Sequence, residues 1–302
     1  MERPRALVAL LALCGLLTAC SEEPVPNATE SFTTTTSSVL AATTSPTTTA
    51  VTAQAARSVE VVATDFGYQL PTAKVPAGPL ALTMVNKGAE IHHATVLRLP
   101  EGVRADDVAA ALRQGDANAL AGTTSVGGPG AIRPGGKARI DLDLAPGAYL
   151  MVCFIPSPRD AQAHSQKGMA SPFTVEGPAS AAVTPSTKGT ITITAAGYQL
   201  PASLSSGSYR VVNESEQTAN AVLLSVNTGR TSQDVAAFFA GGAVGSAPFA
   251  IIGGMANLSP TTSAIVNFEF VTGKYVLVGF ATKPAGGAPE LLAGLMAEVN
   301  VS

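Results

Sequence analysis

The chain has 302 residues, 46% hydrophobic and 13% charged, with a formal net charge of −3. That length holds two ordinary domains with segments to spare, and the apolar fraction suffices for ordered cores. No Lys or Arg run marks a nucleic-acid surface, and a sequence with no Trp and 5% aromatics offers little for base stacking, so nucleic-acid partners are excluded.

Arg3 and Arg5 precede an apolar run, Ala6 to Leu17, that is too short to span a bilayer and reads as an export leader. It ends in Leu17-Thr18-Ala19-Cys20, which resembles the bacterial lipobox: small residues for a signal peptidase, then a thiol to be acylated. The expectation is a leader over 1–19 and a lipid anchor on Cys20, with the mature chain held at the outer face of the cell membrane. Each buried methylene of such an anchor adds about 0.8 kcal/mol. Residues 20–57 follow as a tether, with 13 Ser or Thr between Thr33 and Thr52 and little to bury. Cys14 leaves with the leader and Cys20 is acylated, so Cys153 is the one remaining thiol and has no internal partner. It is either an inert core residue or a ligand.

Beyond residue 57 the pattern is one of short strands. Segments 58–62, 80–85, 94–99, 138–144 and 149–153 alternate or run apolar between Gly and Pro turns. The alternation is clearest from Arg139 to Leu144, which predicts Ile140, Leu142 and Leu144 in a core, with Asp141 and Asp143 in water. Two short helices are expected, 107–112 capped by Asp106 and 233–239 capped by Ser232. Gly127-Gly128-Pro129-Gly130 and Gly253-Gly254 read as loops.

The sequence then repeats itself. Gly67-Tyr68-Gln69-Leu70-Pro71 recurs as Gly197-Tyr198-Gln199-Leu200-Pro201, and Val85-Asn86 as Val212-Asn213. Asp107-Val108-Ala109-Ala110 recurs as Asp234-Val235-Ala236-Ala237, and Gly147-Ala148-Tyr149 as Gly273-Lys274-Tyr275. Four markers in one order, at offsets drifting from 130 to 126, indicate a duplicated unit. The expected organisation is a first domain at 58–176, a linker at 177–188 and a second domain at 189–302. Several strands and one inserted helix per copy predict an all-β fold of two tandem antiparallel sandwiches.

Leu144 to Cys153 resembles the penultimate region of the cupredoxins, the blue copper family, in which Pro-Gly-x-Tyr opens a strand ending in a copper-binding Cys. His164-Ser165-Gln166-Lys167-Gly168-Met169 resembles the family's closing His-x4-Met, and Asn86-Lys87-Gly88-Ala89-Glu90-Ile91-His92 its upstream Asn-x-Gly-x-x-x-His. The resemblance implies a Greek-key sandwich with one copper ion held by His92, Cys153, His164 and Met169. His93 is the alternative to His92, since a shift of one residue along a strand turns the neighbour inward. Two imidazoles and a thiolate with a weak thioether suit copper better than calcium or magnesium. The 11-residue step from Cys153 to His164 is longer than in small blue copper proteins.

In the second copy, Ala219, Asn220, Gly279, Glu290 and Leu295 stand where His92, His93, Cys153, His164 and Met169 stand in the first. The implied function is electron transfer or copper handling, with a redox protein as partner. An enzyme is not expected, because no histidine is left for a second metal centre. The alternative is a metal-free interaction module of the cell envelope that shares only the fold.

Overall fold

A computed structural model describes residues 57–178, 185–280 and 295–301. The expected leader, Cys20, the expected tether as far as residue 56 and Glu290 lie outside the described residues, while Arg57, expected to end the tether, opens the first strand. No helix among the described residues is long and apolar enough to cross a membrane.

The first half runs β1 (Arg57–Thr64), β2 (Gly67–Gln69), β3 (Lys74–Pro76), β4 (Gly78–Asn86), β5 (Thr95–Arg98), α1 (Ala105–Arg113), β6 (Thr124–Ser125), β7 (Lys137–Leu144), β8 (Gly147–Val152) and β9 (Ala170–Glu176). The second half continues with β10 (Thr190–Thr194), β11 (Gly197–Gln199), β12 (Gly207–Asn213), β13 (Ala219–Val226), α2 (Ser232–Ala240), β14 (Phe249–Leu258), β15 (Ser263–Phe268), β16 (Lys274–Val278) and β17 (Met296–Val299). The all-β expectation holds. Pairing is mostly antiparallel, but β1 with β4, β10 with β12 and β3 with β9 run parallel.

In the first half, β7-β4-β1-β2 face the sheet β3-β9-β8-β5-β6. Val61, Leu82 and Ile140 from one layer meet Val96, Tyr149 and Phe173 from the other, all buried. Burying such a side chain is worth about 1.5–3 kcal/mol. Tyr149 closes its corner by donating its hydroxyl to the Ala145 carbonyl at 2.8 Å, and Tyr275 does the same to Val271 in the second half at 2.6 Å. There, β11-β10-β12-β15 face β14-β13-β16-β17.

The two halves are joined through one sheet. β15 pairs with β7, so an eight-stranded sheet runs β11-β10-β12-β15-β7-β4-β1-β2 through both. Ile140 pairs with Val266, and Pro129 bridges Met255. Both pairs are 126 residues apart, the repeat's own offset, so equivalent residues meet as in a two-fold interface. The glycine stretches expected to be loops belong to this seam. Gly253 and Gly254 lie within β14, and the Gly130 N–H donates to the Gly254 carbonyl at 2.9 Å. A Cβ on Gly130 would sit 2.6 Å from the Gly254 carbonyl carbon, so only glycine permits the approach.

Two local expectations need correction. Asp141, expected in water, is buried, because β15 covers that edge; Arg139 pairs with it at 2.9 Å. The helices also start earlier. Asp106 lies inside the first turn of α1, whose N-cap is Arg104, where an acidic side chain meets the helix dipole rather than capping it. Thr231, not Ser232, caps α2. Its hydroxyl accepts from the Asp234 N–H while the Asp234 carboxylate accepts from the Thr231 N–H, a reciprocal box open to Thr with an acid three residues on.

Candidate metal centre

Asn86 ends β4 fully buried, and its side chain shapes the loop that leaves the strand. Its amide donates to the carbonyls of Glu90 at 2.8 Å and Ile132 at 3.0 Å, and its oxygen accepts from the Gly88 N–H at 2.8 Å. These bonds tie residues 86–92 into a tight loop and deliver His92 to the end of the sandwich, where its N–H donates to the Ile132 carbonyl. Asn213 makes the same ties in the second half, to Gln217 at 2.7 Å and Leu258 at 2.8 Å.

Cys153 follows the last residue of β8. The long step to His164 is taken up by a small hairpin in which Pro156 bridges Ala163 and the Ser157 N–H donates to the Gln162 carbonyl. The hairpin returns the chain so that the His164 N–H donates to the Ile155 carbonyl and the Ser165 N–H to that of Cys153. Met169 is buried at the head of β9. Its carbonyl accepts from the Cys153 N–H at 3.1 Å and its N–H donates to the His164 carbonyl at 2.9 Å.

His92, Cys153 and His164 are all buried, and one ligand atom from each falls within 4.8 Å of the others. The two Nδ1 atoms are 3.0 Å apart, and Cys153 Sγ is 3.4 Å from His164 Nδ1. Ligands bound at about 2.0–2.3 Å to one ion lie roughly 3–4 Å from each other, so the spacing fits a shared metal.

Two carboxylates that the sequence pattern does not single out complete the site. Asp65 Oδ1 lies 2.7 Å from His92 Nε2, and Glu90 Oε2 lies 2.9 Å from His164 Nε2. An ionised carboxylate only accepts, so an Nε2 that donates to it leaves Nδ1 as the ring atom turned inward toward the cluster. Glu90 is itself held by Ser157 Oγ at 3.1 Å and Arg159 Nε at 3.2 Å, both supplied by the hairpin. Burial drives the Asp65 carboxyl up, but the N–H groups of Ala89 and Glu90 together with His92 outweigh it and leave the pKa below the usual value. A comparison of the repeats marks both: Ala195 and Gln217 stand at the matching positions, so the carboxylates are lost along with the ligands.

Burial pushes the Cys153 thiol up to about 12, opposed by the Tyr68 hydroxyl and nearby N–H groups. Burial also lowers His164, against the pull of Glu90. His93, the alternative ligand, points away from the cluster. Its Nε2 accepts the Phe154 N–H at 2.9 Å, and burial, followed by the neighbouring imidazoles, lowers it to about 3. Tyr68, from the repeated Gly-Tyr motif, donates its hydroxyl to the His93 carbonyl, as Tyr198 does to Asn220 at 2.5 Å.

In the second half the matching space is filled. A Cβ on Gly279 would lie 2.1 Å from Leu295 Cδ2 and 3.1 Å from the Tyr198 hydroxyl. Leucine occupies the volume that the thiol has in the first half.

No family model matches the chain, and no curated protein matches it. Among solved structures, the chain is similar to dithionite-reduced auracyanin from Roseiflexus castenholzii, at 24% identity over 41% of this chain and 100% of that one, with a TM-score of 0.27. It is also similar to the blue copper protein auracyanin A from Chloroflexus aurantiacus, at 16% identity over 40% and 100%, with a TM-score of 0.29. A multicopper oxidase matches at 16% identity over 82% and 89%, with a TM-score of 0.26.

Proposed function

We propose that this chain is a membrane-anchored, extracytoplasmic copper protein that carries single electrons, with the metal in the first half. The observation that carries this reading is the meeting of His92 Nδ1, His164 Nδ1 and the Cys153 sulfur in a buried space, with both Nε2 protons committed to carboxylates. Two bare lone pairs 3.0 Å apart repel unless a cation or a proton lies between them. Two imidazoles and one sulfur are the donor set that favours copper, and Met169 would add the weak fourth contact. Bound copper supplies a one-electron couple at this point.

The chain's own residues keep the geometry fixed through that change. His92 and His164 are each clamped at the far ring nitrogen, which holds the ring's tautomer and orientation. Cys153 gives up its proton when a metal binds, a cost that burial makes large and that the metal bond must exceed. The carrier reading, rather than an enzyme, is supported by the count of histidines. The sequence has three, two in the cluster and His93 holding Phe154.

Adding one equivalent of Cu(II) to the purified chain tests the proposal. An intense visible thiolate-to-copper charge-transfer band is expected, absent in Cys153→Ser. A colourless chain that retains no copper after dialysis sinks it and leaves the metal-free interaction module. The anchor is tested separately by labelled fatty-acid incorporation, which Cys20→Ser should abolish.

A further inference from the structure

Between the two halves lies a cavity of about 710 Å³, within the range of clefts that hold small organic ligands. Its walls follow the two-fold relation of the halves. His93 and Phe154 on one side match Asn220 and Phe280 on the other, and Ala131 matches Asn257. Each side ties its own wall: the Phe154 N–H donates to His93 Nε2, and the Phe280 N–H to Asn220 Oδ1 at 2.9 Å. Phe239 adds the far surface, stacked on Phe249 at 5.2 Å and edge-on to Phe280 at 5.2 Å.

Away from the exposed Thr218 hydroxyl at the rim, the polar side chains in this aromatic cleft are few, and the atoms they leave unused are donors. His93 uses Nε2 as an acceptor, so its proton sits on Nδ1, which has no partner among the described residues. Asn257 accepts from Asn220 at its oxygen, at 3.0 Å, and its own N–H groups donate to nothing among the described residues. No Asp, Glu, Lys or Arg lines the cavity among the described residues. Aromatic walls favour a flat ring, unused donors call for an acceptor oxygen, and an uncharged lining gives an ion no compensation for its lost hydration.

We propose that this cavity binds a small, uncharged, ring-bearing molecule carrying a carbonyl-type acceptor oxygen. The site does not depend on copper. It adjoins the metal centre through the chain itself, since His93 and Phe154 each follow a ligand residue directly.

Prodan, a neutral aminonaphthyl ketone whose emission moves to the blue in apolar surroundings, is the probe. It is expected to bind the copper-free chain saturably and one to one, and Cys153→Ser equally well, which separates this result from the fate of the copper reading. Ile251→Trp, in the wall, and Thr218→Trp, at the exposed rim, should each weaken binding by about tenfold or more while melting curves show both variants folded. Asn257→Leu should remove the preference for Prodan over dimethylaminonaphthalene, which lacks the ketone. Three results would overturn the proposal: no saturable binding, unchanged affinity in both tryptophan variants, or equally tight binding of the anion anilinonaphthalene sulfonate.

Discussion

His92 Nδ1 faces His164 Nδ1 across 3.0 Å, and each ring is pinned from behind by a carboxylate. Asp65→Asn and Glu90→Gln can each accept where the carboxylate did, but without the charge that strengthens the imidazole as a donor to metal. Each is expected to lower copper affinity by roughly 10- to 100-fold, measured by competition with a chelator. An unchanged affinity in both would remove the clamp from the account.

Gly88 leaves room for the pair it sits beside. An added Cβ would lie 2.3 Å from Asp65 Oδ1 and 2.6 Å from His92 Nε2. Gly88→Ala should therefore weaken copper binding as Asp65→Asn does, and cost about 1–3 kcal/mol in denaturant melts. Ser215, at the matching place in the second half, has no such pair to displace.

Asn86 and Asn213 make equivalent hydrogen bonds, yet only the first holds a loop that carries ligands. Truncation to alanine strands buried carbonyls at about 1–3 kcal/mol each. Asn86→Ala should lower both stability and copper affinity. Asn213→Ala should lower stability alone.

The second half should resist a thiol. Gly279→Ala forces a methyl against Leu295 and is expected to destabilise the chain by about 1–3 kcal/mol. Adding Leu295→Ala should recover part of that loss in the same unfolding assay. If the single and double variants melt alike, the space is not contested.

Burial raises Tyr149 above its ordinary value near 10, against the pull of Arg98 and with some push from Asp143. Its neutral hydroxyl is the form that donates to Ala145. The folded state therefore holds this proton more tightly than the unfolded chain. The stabilisation is complete below about pH 10 and is lost as pH rises through the higher folded value. Tyr149→Phe should show a shallower alkaline fall in melting temperature, starting about 1 kcal/mol lower from the missing hydrogen bond.

Much of the site is legible in the sequence because it is written as residue types in order. His92, Cys153, His164 and Met169 carry recognisable neighbours, and the degenerate second copy shows which positions are dispensable to the fold. Asp65 and Glu90 are harder to see because an isolated carboxylate in a turn is usually solvated, and 27 residues separate Asp65 from His92. The long Cys-to-His step is visible only as a departure; its hairpin carries Ser157 and Arg159 to Glu90. The seam between the halves marks the sequence only through its glycines, which read as loops rather than as a close strand approach. Alternation in residues 137–144 reads the same whether β7 is an outer strand or, as here, an inner one.

That seam bears on how the chain tolerates being cut. Released from its neighbour, β7 would present Ile140 and its unpaired main-chain groups as a bare rim, the kind of surface to which other molecules add strand by strand. The ligand-free half then acts as a permanent guard. The half with the His–Cys–His cluster, produced alone, should clump or self-associate through that rim even with the cluster intact.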